Sequence, residues 1–170
     1  MKPTLAPGLL LAAAAVSVVS DVLDLDYSTC ITLDPFDSAL PQTTPFPYVL
    51  NVSKTGVIHN QDSIILTIRT QDPRVEFERF LVQARDTVLG VPVGQFVDTG
   101  DADITLYNCF HRPENTATEF NQDPKREARM RWMPDYDYNG TVRLIATVVQ
   151  TKDIYWLRQL AAELQVYNPW

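Results

Sequence analysis

The sequence of 170 residues has few of the residue types on which most catalytic and metal sites depend. It contains two histidines, His59 and His111, and two cysteines, Cys30 and Cys109. These four residues lack the paired ligand spacing of a zinc site, and no Ser/His/Asp set or glycine-rich phosphate loop stands out. We therefore predict a protein that is not an enzyme and that needs neither a cofactor nor a metal ion.

Basic residues are also scarce. The chain has 14 Lys and Arg against 21 Asp and Glu, which gives a formal net charge of −7 at pH 7. Nucleic-acid binding depends on the neutralisation of phosphates by Lys and Arg, so a chain with this charge has no general attraction to DNA or RNA. We expect no nucleic-acid partner.

Long apolar runs are missing except near the N-terminus. Lys2 precedes a mainly apolar run, Leu9–Val19, which ends in the short residues Val18-Val19-Ser20. This run is too short to span a bilayer, and no later segment reaches the roughly 18 apolar residues of a membrane helix. A positive start, a short apolar run and small residues at its end are typical of a signal peptide. We predict that residues 1–20 are a signal peptide, that residues 21–170 form one domain, and that the protein is secreted without a membrane span.

Secretion bears on the interpretation of the two cysteines and of two asparagines. An oxidising compartment favours a disulfide over free thiols, so we favour a disulfide over a metal site for Cys30 and Cys109. Asn51-Val52-Ser53 and Asn139-Gly140-Thr141 fit the acceptor pattern for N-glycosylation. Asn139-Gly140 is also a strong hairpin-turn signal, so its acceptor pattern has a second explanation. We predict glycosylation at Asn51 and Asn139.

The hydrophobic pattern predicts an all-β protein. Ile64, Leu66 and Ile68 alternate with less apolar residues, and a second alternating run covers Thr141 to Thr151. The phase of the alternation changes near Glu78-Arg79, which predicts a bulge or bend. We expect little regular structure in residues 21–47 and 111–128, and the segment 156–164 fits either a helix or a strand. Seven or more short strands with turn signals between them indicate an antiparallel β-sandwich.

Several sequence blocks, in the same order, resemble the reeler (reelin) domain family. The blocks are Phe77–Arg85, Val93–Phe96, Cys109, Trp132–Pro134 and Gly140–Gln150, with Pro47-Tyr48 before them and Tyr155-Trp156 after them. The resemblance covers residues 30–157. It differs at Arg79, where the family usually has Gly, and at Thr118-Glu119, where the family often has Thr-His. The resemblance implies an immunoglobulin-like β-sandwich in which a disulfide joins Cys30 to Cys109.

The resemblance also implies a function. Reeler domains occur in extracellular matrix proteins, at the front of ferric-chelate reductase-like membrane proteins, and alone in small secreted arthropod defence proteins. A signal peptide followed by one domain is most similar to the defence proteins, and reductase activity does not carry over without a haem-binding membrane part. The expected function is non-catalytic recognition in innate immunity against bacteria, with microbial envelope glycolipids or glycans as partners. The alternative is an adhesion module that binds extracellular matrix or cell-surface proteins.

One segment differs from the acidic average and is the best sequence-level site for an anionic ligand. Four cations lie within seven residues: Lys125, Arg126, Arg129 and Arg131. On a strand, Arg129 and Arg131 would share a face and could bind phosphates or carboxylates. The alternative interpretation is a charged edge strand that resists aggregation, which is the more common use of such residues. Trp132, Tyr136 and Tyr138 could stack on a sugar, although Trp132 belongs to a family block and is better explained as core.

The acidic residues give weaker signals. Asp98-Thr99-Gly100 matches the loop of an aspartic protease, but a single copy followed by Asp101 is better explained as a turn. Asp98, Asp101 and Asp103 together could chelate a cation, yet they lack the full spacing of a calcium loop. We interpret all of them as turn residues exposed to solvent.

Overall fold

A computed structural model describes residues 25–35, 39–100 and 103–169. The predicted signal peptide, residues 1–20, lies outside these ranges, as does Asp101. The described residues form one short helix, α1 (Tyr27–Thr32), and ten strands. The strands are β1 (Tyr48–Val52), β2 (Gly56–His59), β3 (Ile64–Thr70), β4 (Arg79–Asp86), β5 (Gln95–Val97), β6 (Ile104–Cys109), β7 (Arg112–Glu119), β8 (Glu127–Met133), β9 (Gly140–Thr151) and β10 (Ile154–Tyr167).

The strands form two sheets. One sheet has four strands in the order β1-β3-β8-β5, and the other has six in the order β2-β10-β9-β4-β7-β6. Neighbouring strands run antiparallel, except that β2 pairs with β10 in parallel. The predicted class, an all-β two-sheet sandwich with one disulfide, is confirmed.

The core lies between the sheets and follows the period-two pattern of the sequence. In β3 the buried side chains are those of Ile64, Leu66 and Ile68, and in β8 they are those of Ala128, Met130 and Trp132. The six-stranded sheet contributes alternating residues of β4 and β9 to the same cluster. Each large apolar side chain buried in this way stabilises the fold by about 1.5–3 kcal/mol.

The predicted change of phase before β4 is present. Phe77 and Phe80 are both fully buried although two residues separate them, because the chain bends at Glu78. Phe77 forms an isolated bridge with Lys125, and Phe80 belongs to β4. Arg79 does not adopt the positive φ that would favour glycine at this bend.

Two segments differ from the prediction, and a third, for which helix and strand were both open, is a strand. Residues 21–47 contain α1, in which Asp26 caps the N-terminus by accepting hydrogen bonds from the backbone N–H groups of Ser28 and Thr29. Residues 111–128 contain β7, whose buried polar side chains are satisfied by partners on neighbouring strands. Residues 154–167 form β10, in which register shifts obscure the period of two.

Candidate functional site

The disulfide joins Cys30 in α1 to Cys109 at the end of β6. It fixes α1 against the face of the six-stranded sheet that points away from the core. Beneath it, the fully buried Gln83 donates hydrogen bonds to Thr116 Oγ1 at 2.8 Å and to Cys109 Sγ at 3.4 Å. The bond that the resemblance implied is therefore present, and it closes a separation of 79 residues.

Lys125 does not belong to a binding surface, and this part of the prediction is wrong. Its side chain is buried, and Nζ donates hydrogen bonds to the backbone carbonyls of Glu78, Asn121 and Asp123 at 3.1, 3.0 and 2.6 Å. These three acceptors take up the three donors of the ammonium group. Lys125 instead ties the loop before β8 to the bend before β4.

Arg126 is exposed but already paired, because its Nη2 atom lies 3.0 Å from Glu76 Oε1. A ligand carboxylate or phosphate would have to displace this ion pair. Exposed pairs of this kind contribute about 0–1 kcal/mol, so displacing Glu76 would reduce the affinity of Arg126 for a ligand only slightly.

Arg129 and Arg131 share a face, as the alternation predicted. Both side chains are exposed, while Ala128, Met130 and Trp132 between and beside them are buried. The edge-strand interpretation is wrong, because β8 lies between β3 and β5 in the four-stranded sheet. The two arginines therefore project from the interior of a paired sheet and not from its edge.

A third arginine joins them from the neighbouring strand. In the register of β3 and β8, Ile65 lies opposite Arg131, Thr67 opposite Arg129 and Arg69 opposite Glu127. Arg69 is exposed and points to the same side as the other two. We call the surface formed by Arg69, Arg129 and Arg131 the basic face. The sequence analysis missed Arg69, although its alternation with the buried Ile68 was a usable signal.

The arginines of the basic face differ from the other described cations in that they have no ion pair or side-chain hydrogen bond. Every other Lys and Arg in residues 25–35, 39–100 and 103–169 has an ion pair or a side-chain hydrogen bond. Arg69, Arg129 and Arg131 have neither within this part of the chain. A depression of about 330 Å³ is lined by Arg129, Arg131 and the loop residues Thr99 and Gly100. Glu127, opposite Arg69, is the acidic residue of this face.

Both predicted glycosylation sites are exposed. Asn51 lies on β1 and pairs with Thr67, so it projects on the same side of the sheet as the basic face. Asn139 lies directly before β9, which begins at Gly140, and the turn is formed by Tyr136 and Asp137, so the hairpin turn predicted at Asn139-Gly140 is not present. Attachment of a glycan at either residue stays a prediction.

The structure does not bring together the residues of the other sites considered from the sequence. Trp132 is fully buried and its Nε1 atom donates to Val93 O at 3.0 Å, so it cannot stack on a sugar together with the exposed Tyr136. Tyr138 donates a hydrogen bond to Asp86 Oδ2 at 2.6 Å. Asp98 Oδ1 accepts a hydrogen bond from Gly100 N at 2.7 Å, which is the geometry of an ordinary turn.

No metal site is found in the described part of the chain. There, no group of three or more His, Cys, Asp and Glu side chains is arranged to hold a metal ion. The cation site considered for Asp98, Asp101 and Asp103 includes Asp101, which lies outside the described residues. No helix among those residues is long and apolar enough to cross a bilayer.

The fold and this site define a disulfide-linked β-sandwich that presents unpaired arginines on one sheet face. The chain belongs to the Reeler domain family, whose model matches residues 28–169. It is similar to a candidate defence protein of Bombyx mori, with 31% identity over 83% of this chain and 82% of that protein. It is also similar to defence protein l(2)34Fc of Drosophila melanogaster, with 29% identity over 92% of this chain and 96% of that protein.

Two other similarities are more limited, one in the share of the relative that is covered and one in sequence identity. A candidate ferric-chelate reductase of Drosophila melanogaster is 27% identical over 82% of this chain, but this region is only 22% of that protein. The crystal structure of the human F-spondin reeler domain matches with a TM-score of 0.61 and 16% identity over 76% of this chain and 94% of that one. This second similarity concerns the fold alone.

Proposed function

We propose that this protein is a secreted, non-catalytic recognition protein of innate defence that binds anionic components of microbial envelopes through the basic face. The similarity to insect defence proteins over most of both chains supports the general role. The observation that carries the mode of action is the location of the described chain's three unpaired cationic side chains on one sheet face.

The chemistry of the basic face suits phosphate, carboxylate or sulfate groups. A guanidinium group presents a planar fork of donors and binds such oxyanions in a bidentate manner. Arg129 and Arg131 are two residues apart on one strand, so their Cα atoms are separated by about 7 Å. Two guanidinium groups at this spacing can contact successive anionic groups of one polymer.

The shape of the site favours a polymer or a membrane-anchored glycolipid over a small free ligand. The basic face is open, and its depression is lined by residues of β3 and β8 and by the loop residues Thr99 and Gly100. The backbone beneath it is rigid, because β3 and β8 pair over six residues. Recognition therefore rests on multiple simultaneous contacts, whose combined affinity exceeds that of each one.

The test compares two variants with equal loss of charge. Arg69→Gln/Arg129→Gln/Arg131→Gln removes the basic face, and Lys54→Gln/Arg74→Gln/Lys152→Gln removes three exposed cations elsewhere. Binding of the purified oxidised proteins to whole bacteria and to lipopolysaccharide is measured at two salt concentrations. We expect the first variant to lose binding by about tenfold or more, since each charge-assisted contact contributes about 1.5–3 kcal/mol.

Two results would contradict the proposal. Equal binding by the wild type and both variants would show that the basic face is not the contact surface. Binding of the wild type to host matrix proteins but to no microbial component would favour the adhesion alternative. Circular dichroism and thermal unfolding of both variants separate loss of contact from loss of fold.

A further inference from the structure

A second group of arginines lies on the six-stranded sheet, around the end of α1. Arg85 Nη2 donates to the backbone carbonyl of Cys30 at 2.7 Å. Arg158 Nε donates to the carbonyl of Thr32 at 2.5 Å, and its Nη2 donates to that of Ile31 at 3.2 Å. The C-terminal carbonyls of a helix carry partial negative charge, which explains why both guanidinium groups gather there.

The backbone of β10 is adapted to hold Arg158 in this position. Arg158 lies at a register shift between β9 and β10 and has a φ of 51°, a conformation that costs free energy for a residue with a Cβ atom. Its backbone N–H donates to Thr147 Oγ1 at 3.2 Å. The side chain is thus placed by a bulge that also interrupts the strand pairing.

A cavity of about 370 Å³ lies beside these arginines. Arg143 of β9, which pairs with Arg85 across the sheet, is the third cationic residue of its lining. Ile145 and Leu160 give the cavity apolar surface, and Thr87 and Gly90 border it from the loop that follows β4. The lining therefore combines three basic side chains with apolar ones.

The charges of this cavity are not fully balanced. Arg143 is paired with Glu163 at 2.8 Å, whereas among the described residues Arg85 and Arg158 bond to carbonyl oxygens and to the amide of Gln83 but to no carboxylate. Burial, followed by the nearby charge of Arg158, lowers the pKa of Arg85 to about 10. Asp86, also in the lining, is occupied by hydrogen bonds from Val88 N, Leu89 N and Tyr138 OH. An added anion would relieve the repulsion between Arg85 and Arg158.

The loop next to the cavity displays apolar side chains to solvent. Val88 is 89% exposed and Leu89 is 71% exposed, and Leu160 on the cavity wall is 57% exposed. The loop is nevertheless well held, since Asp86 Oδ1 accepts from both Val88 N and Leu89 N at 2.7 and 2.6 Å. Exposed apolar tips beside basic residues are the arrangement with which peripheral proteins enter the lipid headgroup region.

We propose that this end of the six-stranded sheet docks on an anionic phospholipid bilayer. Val88 and Leu89 insert at the boundary between headgroups and acyl chains, and the cavity of Arg85, Arg143 and Arg158 holds a lipid phosphate. The apolar tip and the unbalanced basic cavity together specify an amphiphile with an anionic head. This site is separate from the basic face, which lies on the other sheet, and does not depend on the function proposed for that face.

The test is co-sedimentation with vesicles of phosphatidylcholine alone and of phosphatidylcholine mixed with phosphatidylglycerol. We expect the wild-type protein to bind only the mixed vesicles. Val88→Ser/Leu89→Ser should lower that binding about tenfold, because it removes the inserted apolar surface. Phe120→Ser is the matched control, since Phe120 is 71% exposed and follows β7 at the opposite end of β4. It should bind as the wild type does.

The contribution of the cavity is tested separately. Arg143→Gln and Arg158→Gln should each weaken binding to the mixed vesicles. If Arg158→Gln fails to fold, Arg143→Gln still tests the cavity, because Arg143 is exposed. Val88→Ser/Leu89→Ser leaves the basic face intact, so a loss of vesicle binding in this variant assigns the contact to the six-stranded sheet, and the two proposals can fail independently. Absence of wild-type binding to mixed vesicles, or equal binding by the loop variant, would overturn the proposal. Binding of free inorganic phosphate without binding to vesicles would show a soluble-anion site instead.

Discussion

Arg79 and Glu119 contact each other, with Arg79 Nε 3.8 Å from Glu119 Oε1. They are the two positions at which the chain differs from the sequence pattern that first indicated its family. Both side chains are mostly buried, at the start of β4 and the end of β7. Glu119 Oε2 also accepts hydrogen bonds from Phe80 N at 2.9 Å and from Thr118 Oγ1 at 2.7 Å. The two departures from the family pattern are thus in contact with each other.

This relationship predicts that the two substitutions are energetically coupled. Arg79→Gly leaves a mostly buried carboxylate without its cation and should lower the free energy of unfolding by about 1–3 kcal/mol. Arg79→Gly/Glu119→His should be less destabilised than the sum of the two single variants, because neither charge is then left unpaired. Urea unfolding of all four proteins measures the coupling. Additive losses would show that the two residues are independent.

Asn51 on β1 and Arg129 on β8 project from the same face of the four-stranded sheet. Each of them lies directly opposite Thr67, which is on the strand between them, β3. Two strand spacings separate them, about 10 Å, so a bulky glycan on Asn51 would cover part of the basic face. With protein from a secretory host in which mass spectrometry shows both sites occupied, Asn51→Gln should increase lipopolysaccharide binding severalfold. Asn139→Gln is the control and should leave it unchanged. An equal effect of both variants would argue against shielding.

Lys125 should matter for stability and not for binding. Lys125→Met keeps the length of the buried side chain but leaves the carbonyls of Glu78, Asn121 and Asp123 without their shared donor. We expect a loss of about 1–3 kcal/mol in the free energy of unfolding. Binding to bacteria, measured at a temperature at which the variant is folded, should equal that of the wild type. A loss of binding with unchanged stability would show that Lys125 contacts the ligand.

Asp26 should contribute to the pH dependence of stability. Hydrogen bonds from the Ser28 side chain, and then from the side chain and backbone of Thr29, lower the pKa of Asp26 from 3.8 to about 2. A carboxyl with a lowered pKa stabilises the folded state above its unfolded pKa, and that contribution is lost as the pH falls towards 2. Chemical unfolding between pH 6 and pH 2 should show a smaller decline for Asp26→Asn than for the wild type. Parallel declines would exclude this contribution.

The extent to which the sequence predicted the fold depended on the kind of residue in each segment. Alternation of apolar residues in β3, β8 and β9 correctly placed the core, because one face of each of these strands is buried. The same rule correctly put Arg129 and Arg131 on one face. It failed for β7, where Asn115, Thr116 and Thr118 are buried with cross-strand partners, and for β10, where bulges shift the register.

Local information by itself determined the class of the protein. The period-two alternation and turn residues specify strands, the ordered sequence blocks specify the family, and two cysteines allow a single bond. The pairing of strands decided the rest. Only the register between β3 and β8 brings Arg69 onto the same face as Arg129 and Arg131, and only the packing around the bend at Glu78 removes Lys125 from the surface. These outcomes depend on contacts between residues far apart in the chain, because a side chain's partners are set by the strands that lie next to it and not by its sequence neighbours.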